Sequence, residues 1–213
     1  MTVITLSASY GAGGSEIGPQ LAQRLDLSFV DRAIPTAVAE RLAVPLQDAV
    51  EHDESVRTAL DRLLLRLAPL GSMYGWTGTE VTGDMPDEDA YRHATELVVH
   101  EHAAGGRTII LGRAGAVLLK DHPEALHVRL DGPRDARLAQ AMRLEGVDRE
   151  TAQRHMEQTD AAREAYVRHF YRVDARDCRL YHLVLDSTAL DLGCCVDMIA
   201  AAARARQAAA TAG

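Results

Sequence analysis

The sequence predicts an α/β domain in which a five-stranded parallel sheet is covered by helices on both faces, and three observations carry that reading. Short apolar, β-branched runs bounded by Gly, Asp or Pro recur at residues 3–7, 28–30, 108–111, 126–130 and 182–185. Helical patterns fill the intervals, at about residues 17–25, 33–42, 55–67, 87–104, 133–144, 149–171 and 192–206. Strands alternating with helices need crossover connections, which produce parallel sheets buried on both sides. The third observation is a glycine-rich turn directly after the first strand, at the edge where open parallel sheets bind their ligands.

The intervals between strands are unequal. The one between the second and third strands is long and helical, with a Gly-rich tract at residues 71–83 inside it, and reads as an insertion covering a site. A second long helical interval, residues 148–177, carries much of the arginine and reads as a lid. A chain of 213 residues with 47% apolar content can bury a sizeable core, so one domain over residues 1–206 is expected. The Ala-rich end, residues 207–213, is read as a fraying helix and flexible tail.

Composition narrows the function classes. A formal charge of −8 disfavours a broad nucleic-acid footprint, because phosphate backbones repel acidic surfaces. The arginines nevertheless thicken between Arg129 and Arg179, compatible with a local anion patch or with a solvated helical face. No run reaches the roughly 18 to 20 apolar residues of a membrane span. The N-terminal MTVITLSAS lacks a basic leader and a cleavage pattern, so a cytoplasmic location without membrane association is expected. Cys178, Cys194 and Cys195 show no paired spacing, and His100 and His102 stand two apart, so neither a disulfide framework nor a structural metal is expected. The tract at 71–83 holds Met73, Tyr74 and the single tryptophan, Trp76; packing on its own domain, base stacking and a homo-oligomer contact are all open there.

The chemistry centres on VITLSASYGAGGSEIGPQLAQRL. Glycines at 11, 13 and 14 let backbone amides approach an anion, and the helix that follows adds partial positive charge at its N-terminus. A ligand-free strand-to-helix turn would also use glycines, but the position at the carboxyl end of the first strand favours a phosphate. The full GxxxxGK[ST] pattern is absent. On a nucleotide-kinase loop ending GSGKGT, Gly14 takes the lysine place, Ser15 the following glycine place and Glu16 the place of the hydroxyl that touches magnesium. The first change removes a positive contact to the β/γ-phosphates; the last adds a carboxylate beside them.

YGAGGSEIG resembles the phosphate loop of the cytidylate-kinase-like family, whose loops read YGSGG, a polar residue and EIG. The resemblance continues through FVDRAI, IILGRAG and DAAREAYVRHFYRVDARDCRLYHLVLDSTAL, and spans nearly the whole chain. It implies a three-layer P-loop NTPase fold with a five-stranded parallel sheet, a helical acceptor region within residues 31–104 and an arginine-bearing lid at 148–177. It further implies ATP, with Mg²⁺ carried on the nucleotide, and a nucleoside monophosphate or similar small acceptor. Gly11, Ala12, Gly13, Gly14, Ser15 and Glu16 would hold the donor phosphates. Asp31, Arg32, Arg113 and Arg137 would bind the acceptor, and Arg113, Asp160, Arg163 and Arg168 would act on the transferring group. Two acids usual in cytidylate kinases are Leu111 and Ala114 here. A surface ion pair between Asp160 and Arg163 at i, i+3 explains those two residues without any ligand. The sequence thus leaves open a phosphotransferase, a catalytically silent nucleotide or phosphate-ligand sensor, and an oligomeric structural domain.

Overall fold

The computed structural model describes residues 2–30, 88–112 and 114–211. Asp31, Arg32, Arg113, the helices expected at 33–42 and 55–67 and the tract at 71–83 lie outside the described residues. Strands β1 (Val3–Ala8), β2 (Ser28–Val30), β3 (Thr108–Leu111), β4 (Ala125–Asp131) and β5 (Leu183–Asp186) form one sheet in the order β2-β3-β1-β4-β5, every neighbouring pair parallel. The helices are α1 (Gly14–Leu25), α2 (Glu88–Ala104), α3 (Gly115–Leu118), α4 (Arg134–Glu145), α5 (Arg149–Tyr171) and α6 (Leu192–Thr211), with a 3-10 turn at Cys178–Leu180. None of the described helices is long and apolar enough to cross a membrane.

Alternation along the strands assigns each face its cover. Ile4 and Leu6 of β1, Ile109 of β3 and Leu126, Val128 and Leu130 of β4 bury against Ile17 and Leu21 of α1 and Val196 and Ile199 of α6. The opposite face begins in the same apolar way, with Val3, Ile110 and Ala125 packed under Val98 and Val99 of α2 and Leu119. It then turns polar toward the carboxyl edge. Thr5 pairs in register with His127, and Ser7 with Arg129, where a doubly covered parallel sheet would ordinarily stay apolar.

His127 is 3% exposed, shares a 2.8 Å hydrogen bond between its Nδ1 and Thr5 Oγ1, and stacks on His182 at 4.9 Å between ring centroids. The backbone N–H of His127 donates to His182 Nδ1. Burial, with the positive neighbourhood of His182, Arg206 and His122, pushes the His127 pKa down from 6.5 to about 4. The native state therefore holds this ring neutral while the unfolded chain protonates it near 6.5. Its contribution is complete above that value and is lost as pH falls toward 4, about 3 kcal/mol at most over the window. Denaturant unfolding of the wild type and of His127→Gln should give a stability difference that shrinks across this range. A constant difference would mean the ring is held by shape alone.

Helix α5 is the element that shapes the mouth of the sheet. Its 23 residues span about 34 Å. The Asp148 side chain accepts from Thr151 N and caps its start, and Arg172 in the left-handed region ends it. Ala152 and Met156, in its first half, pack with Leu138 and Ala141 of α4 and with Tyr10. Tyr166, Val167 and Phe170, in its second half, pack on Ala114 and Val117. Since α4 follows β4 and α3 follows β3, the two strands flanking β1, the middle of α5 crosses over the end of β1.

Most boundaries fall where the periodicity places them, and the exceptions have physical reasons. α1 begins at Gly14 rather than residue 17, because a first turn of Gly, Ser and Glu carries no apolar period. α6 runs to Thr211, past residue 206, on a stretch of alanines with high helix propensity. α3 and the 3-10 turn are too short to show any period.

Candidate phosphate-binding site

The loop between β1 and α1 is held by its carbonyls. Arg163 Nη1 of α5 donates to Ala8 O (2.7 Å), Arg137 Nη1 of α4 to Tyr10 O (2.7 Å), Gln140 Nε2 of α4 to Gly11 O (3.0 Å) and Ser187 Oγ to Ala12 O (2.7 Å). The intervening carbonyl, of Ser9, accepts from Ala12 N. Every carbonyl from residue 8 to residue 12 is thus occupied. The amides of Gly11, Gly13, Gly14 and Ser15 have no hydrogen-bond partner among the described residues. Unpaired amides at a helix N-terminus, with the competing carbonyls taken up elsewhere, are the donor set an anion of phosphate size requires.

Two glycines make this path possible. Gly11 and Gly13 adopt φ of +76° and +72°, the left-handed region in which a side chain is strained. Gly11 also lies against α4, where an added Cβ would fall 2.2 Å from Arg137 O.

Arg137 and Asp160 brace the loop from outside. Asp160 accepts Tyr10 N at 2.7 Å on one oxygen and Arg137 Nη1 at 2.8 Å on the other, while Arg137 Nε donates to Gly132 O. Both side chains are largely buried, at 11% and 22% exposure. Tyr10 itself points away, donating its hydroxyl to Glu145; burial and then that carboxylate raise its pKa.

A second brace lies on the polar sheet face. Arg129 is 8% exposed and spends its nitrogens on Asp131 Oδ2 (2.7 Å), Ser9 Oγ (2.9 Å), Ala175 O (3.2 Å) and Ser7 Oγ (3.3 Å). Tyr181 lies under its guanidinium and also donates to Ala175 O. Burial works to raise the Asp131 pKa, but the Arg129 guanidinium outweighs it and holds the carboxyl below its ordinary range. Nothing in the helical or loop patterns pointed to Arg129. The available signal was a charged residue inside an otherwise apolar strand, which is rarely buried without a partner.

The other residues singled out from sequence are distributed as follows. Ser15 and Glu16 are exposed on the first turn of α1, and Ala12, Gly13 and Gly14 are buried. Asp160 and Arg163 both reach the loop, on one face of α5. Arg168, further along, is exposed beside Asp174, and no side-chain hydrogen bond from it reaches the loop among the described residues. Leu111 and Ala114 flank Gly112 at the end of β3, with Ala114 in the left-handed region at φ 53°. Among the described residues no three His, Cys, Asp or Glu are gathered to hold a metal ion.

A parallel sheet in the order β2-β3-β1-β4-β5, with a glycine loop joining the central strand to the first helix, is the fold of the P-loop kinases. The chain belongs to the cytidylate kinase-like family, whose profile matches residues 3–189. Among solved structures it is similar to an uncharacterized protein from Eubacterium ventriosum, at TM-score 0.63 and 17% identity, covering 93% of this chain and 96% of that one. It is also similar to a shikimate kinase from Bacteroides thetaiotaomicron (TM-score 0.50, 15% identity, 93% and 95% coverage). A gluconokinase from Sinorhizobium meliloti stands at the same TM-score, with 17% identity and 99% and 95% coverage. At these identities the likeness is one of fold. No curated protein sequence matches the chain.

Proposed function

We propose that this chain binds ATP through the loop at residues 9–16 and transfers its terminal phosphoryl group to a nucleoside monophosphate or a similar small acceptor. The observation that carries the reading is the loop with its carbonyls from Ala8 to Ala12 all occupied and the amides of Gly11, Gly13, Gly14 and Ser15 without partners among the described residues. Such a site is organised before the ligand arrives, which is the contribution a protein makes to phosphoryl transfer: positioning and charge neutralisation rather than covalent chemistry. In the transfer the bond from the γ-phosphorus to the β–γ bridging oxygen breaks as an acceptor oxygen attacks, and the nucleoside diphosphate leaves. Arg113, Asp31 and Arg32 are the residues assigned to the acceptor, while Arg163 and its neighbours on α5 act on the transferring group. Mg²⁺ carried on the nucleotide would offset phosphate charge, and the exposed Glu16 could supply it an oxygen donor.

A second reading has its own support. Gly14 in the lysine place, Glu16 in the hydroxyl place and the apolar Leu111 and Ala114 at the end of β3 suit a module that binds a nucleotide or other phosphorylated ligand without turning it over. Titration calorimetry with ATP, GTP, CMP and dCMP in the presence of Mg²⁺, followed by a coupled assay for diphosphate formation on the same samples, separates the two. Binding with turnover is the expected result. Binding without turnover would establish the sensor, and absence of any binding would overturn both.

A further inference from the structure

The last strand of the sheet delivers a hydroxyl to the glycine loop. Ser187 follows β5 directly and is completely buried. Its Oγ lies 2.7 Å from Ala12 O and 3.3 Å from Asp131 O. Asp131 O already accepts the Ser187 N–H at 3.1 Å, so the single hydroxyl proton is committed to the shorter bond. The turn that carries Ser187 is itself fixed. Asp186 Oδ1 accepts from Thr188 N at 3.0 Å, from Thr188 Oγ1 at 2.6 Å and from Ala189 N at 3.1 Å.

What this bond does follows from the planarity of the peptide. In a trans peptide the C=O of one residue and the N–H of the next point in opposite directions, so a donor that captures a carbonyl also aims the following amide. Along the loop this separates the clamps into two kinds. Those on Ala8 O and Gly11 O hold planes whose amides, Ser9 N and Ala12 N, are bonded to Leu130 O and Ser9 O. The plane of Ser9 O carries Tyr10 N, which donates to Asp160. The other two clamped planes carry amides without a partner among the described residues. Tyr10 O, held by Arg137, aims Gly11 N, and Ala12 O, held by Ser187, aims Gly13 N.

We infer that Ser187 is a positioning residue for the phosphate loop: by holding Ala12 O it turns the Gly13 N–H toward the bound anion, as Arg137 does for the Gly11 N–H. This rests on the reading of the loop as a phosphate site and adds to it a residue from outside the loop. Being buried, Ser187 touches no ligand itself. The consequence is that part of the loop's affinity for phosphate is set by the turn after β5, about 175 residues away in the chain.

The test uses the full chain with inorganic pyrophosphate and with Mg²⁺-ATP, and compares Ser187→Ala with Ser187→Cys, whose thiol fills the space of the hydroxyl but is a weak donor. Calorimetric affinity for both ligands should fall about 3- to 10-fold in each variant. Amide NMR supplies a readout that general loosening would not reproduce. On pyrophosphate binding the wild type should shift the N–H signals of both Gly11 and Gly13, and the variants should lose the Gly13 response while keeping that of Gly11. Equal loss at both glycines would overturn the inference, since it would report a loosened loop, and so would wild-type affinity in S187A. Wild-type affinity and an intact Gly13 response in S187C would assign the effect to packing and overturn it too, an arm that stands even where S187A does not fold. Absence of pyrophosphate binding by the wild type would overturn the inference together with the phosphate site. Pyrophosphate binding without ATP binding would sink the reading of the loop as an ATP site and leave the role of Ser187 to be decided by the variants.

Discussion

Replacing Gly11 by alanine should destabilise the native state by about 3 kcal/mol or more and abolish the proposed ATP binding, whereas the same change at Gly112 should cost only about 1 kcal/mol. The two glycines have nearly the same backbone, at φ of +76° and +77°. They differ in what surrounds them. A Cβ at Gly112 meets nothing within 4 Å among the described residues, so there only the left-handed conformation is penalised. At Gly11 the new atom would lie 2.2 Å from Arg137 O and 2.9 Å from the carbon bearing it. These are backbone atoms of α4, and relief requires that helix or the loop to move. Either movement pulls Arg137 from Tyr10 O and Gln140 from Gly11 O, releasing two of the carbonyls whose capture leaves the amides available. Denaturant midpoints for the two variants, with calorimetry on the same samples, test this directly. Similar losses for G11A and G112A would show that α4 yields easily and that the loop is not braced by it.

The same contacts explain what could be read from sequence and what could not. β1 to β5 and the long helices were legible because each carries a period within a dozen residues, and the glycine loop because its glycines fall between a strand and a helix. The bracing was not legible. Tyr10 and Asp160 are 150 residues apart in the chain, Tyr10 and Arg137 127, and Ser9 and Arg129 120. Arginines in a lid-like stretch can be recognised as anion-binding material without revealing which of them is spent on the protein. In the structure all three reach protein acceptors: Arg137 and Arg129 hold backbone and hydroxyls from largely buried positions, and Arg163, exposed, donates to Ala8 O. Gly14 is the sharpest case. As a letter in a degenerate motif it says only that lysine is missing; in the structure any side chain there would start 2.7 Å from Ala8 Cβ and 3.2 Å from Leu111 Cδ1, so a neighbour would have to shift.

Arg129→Met should lower stability by about 2 to 3 kcal/mol, somewhat under the usual loss for breaking a fully buried pair because the Asp131 side chain keeps 35% exposure. Methionine fills much of the same space, so the loss comes from the groups left behind: the Asp131 carboxylate, the hydroxyls of Ser7 and Ser9, and Ala175 O. The pH dependence identifies the largest of them. In the wild type the Asp131 pKa is depressed, so the pair contributes fully above about 3.8 and is lost as pH falls through the lower native value. In the variant, burial acts on Asp131 against only Gly132 N, Ser9 and the more distant Arg137 Nε, and so shifts it toward protonation. The gap between wild type and R129M should therefore be widest near neutrality and narrow as pH falls below about 4. Adding Asp131→Asn to R129M should recover part of the stability at pH 7. A gap that stays constant with pH, and a double variant no better than the single one, would assign the loss to packing and not to a stranded charge. Because Arg129 joins Ser9, at the head of the glycine loop, to Ala175, just beyond α5, R129M should also weaken the proposed ATP binding. That loss should survive at temperatures where the variant remains fully folded, since it arises from uncoupling the loop from the segment that follows the helix carrying Arg163.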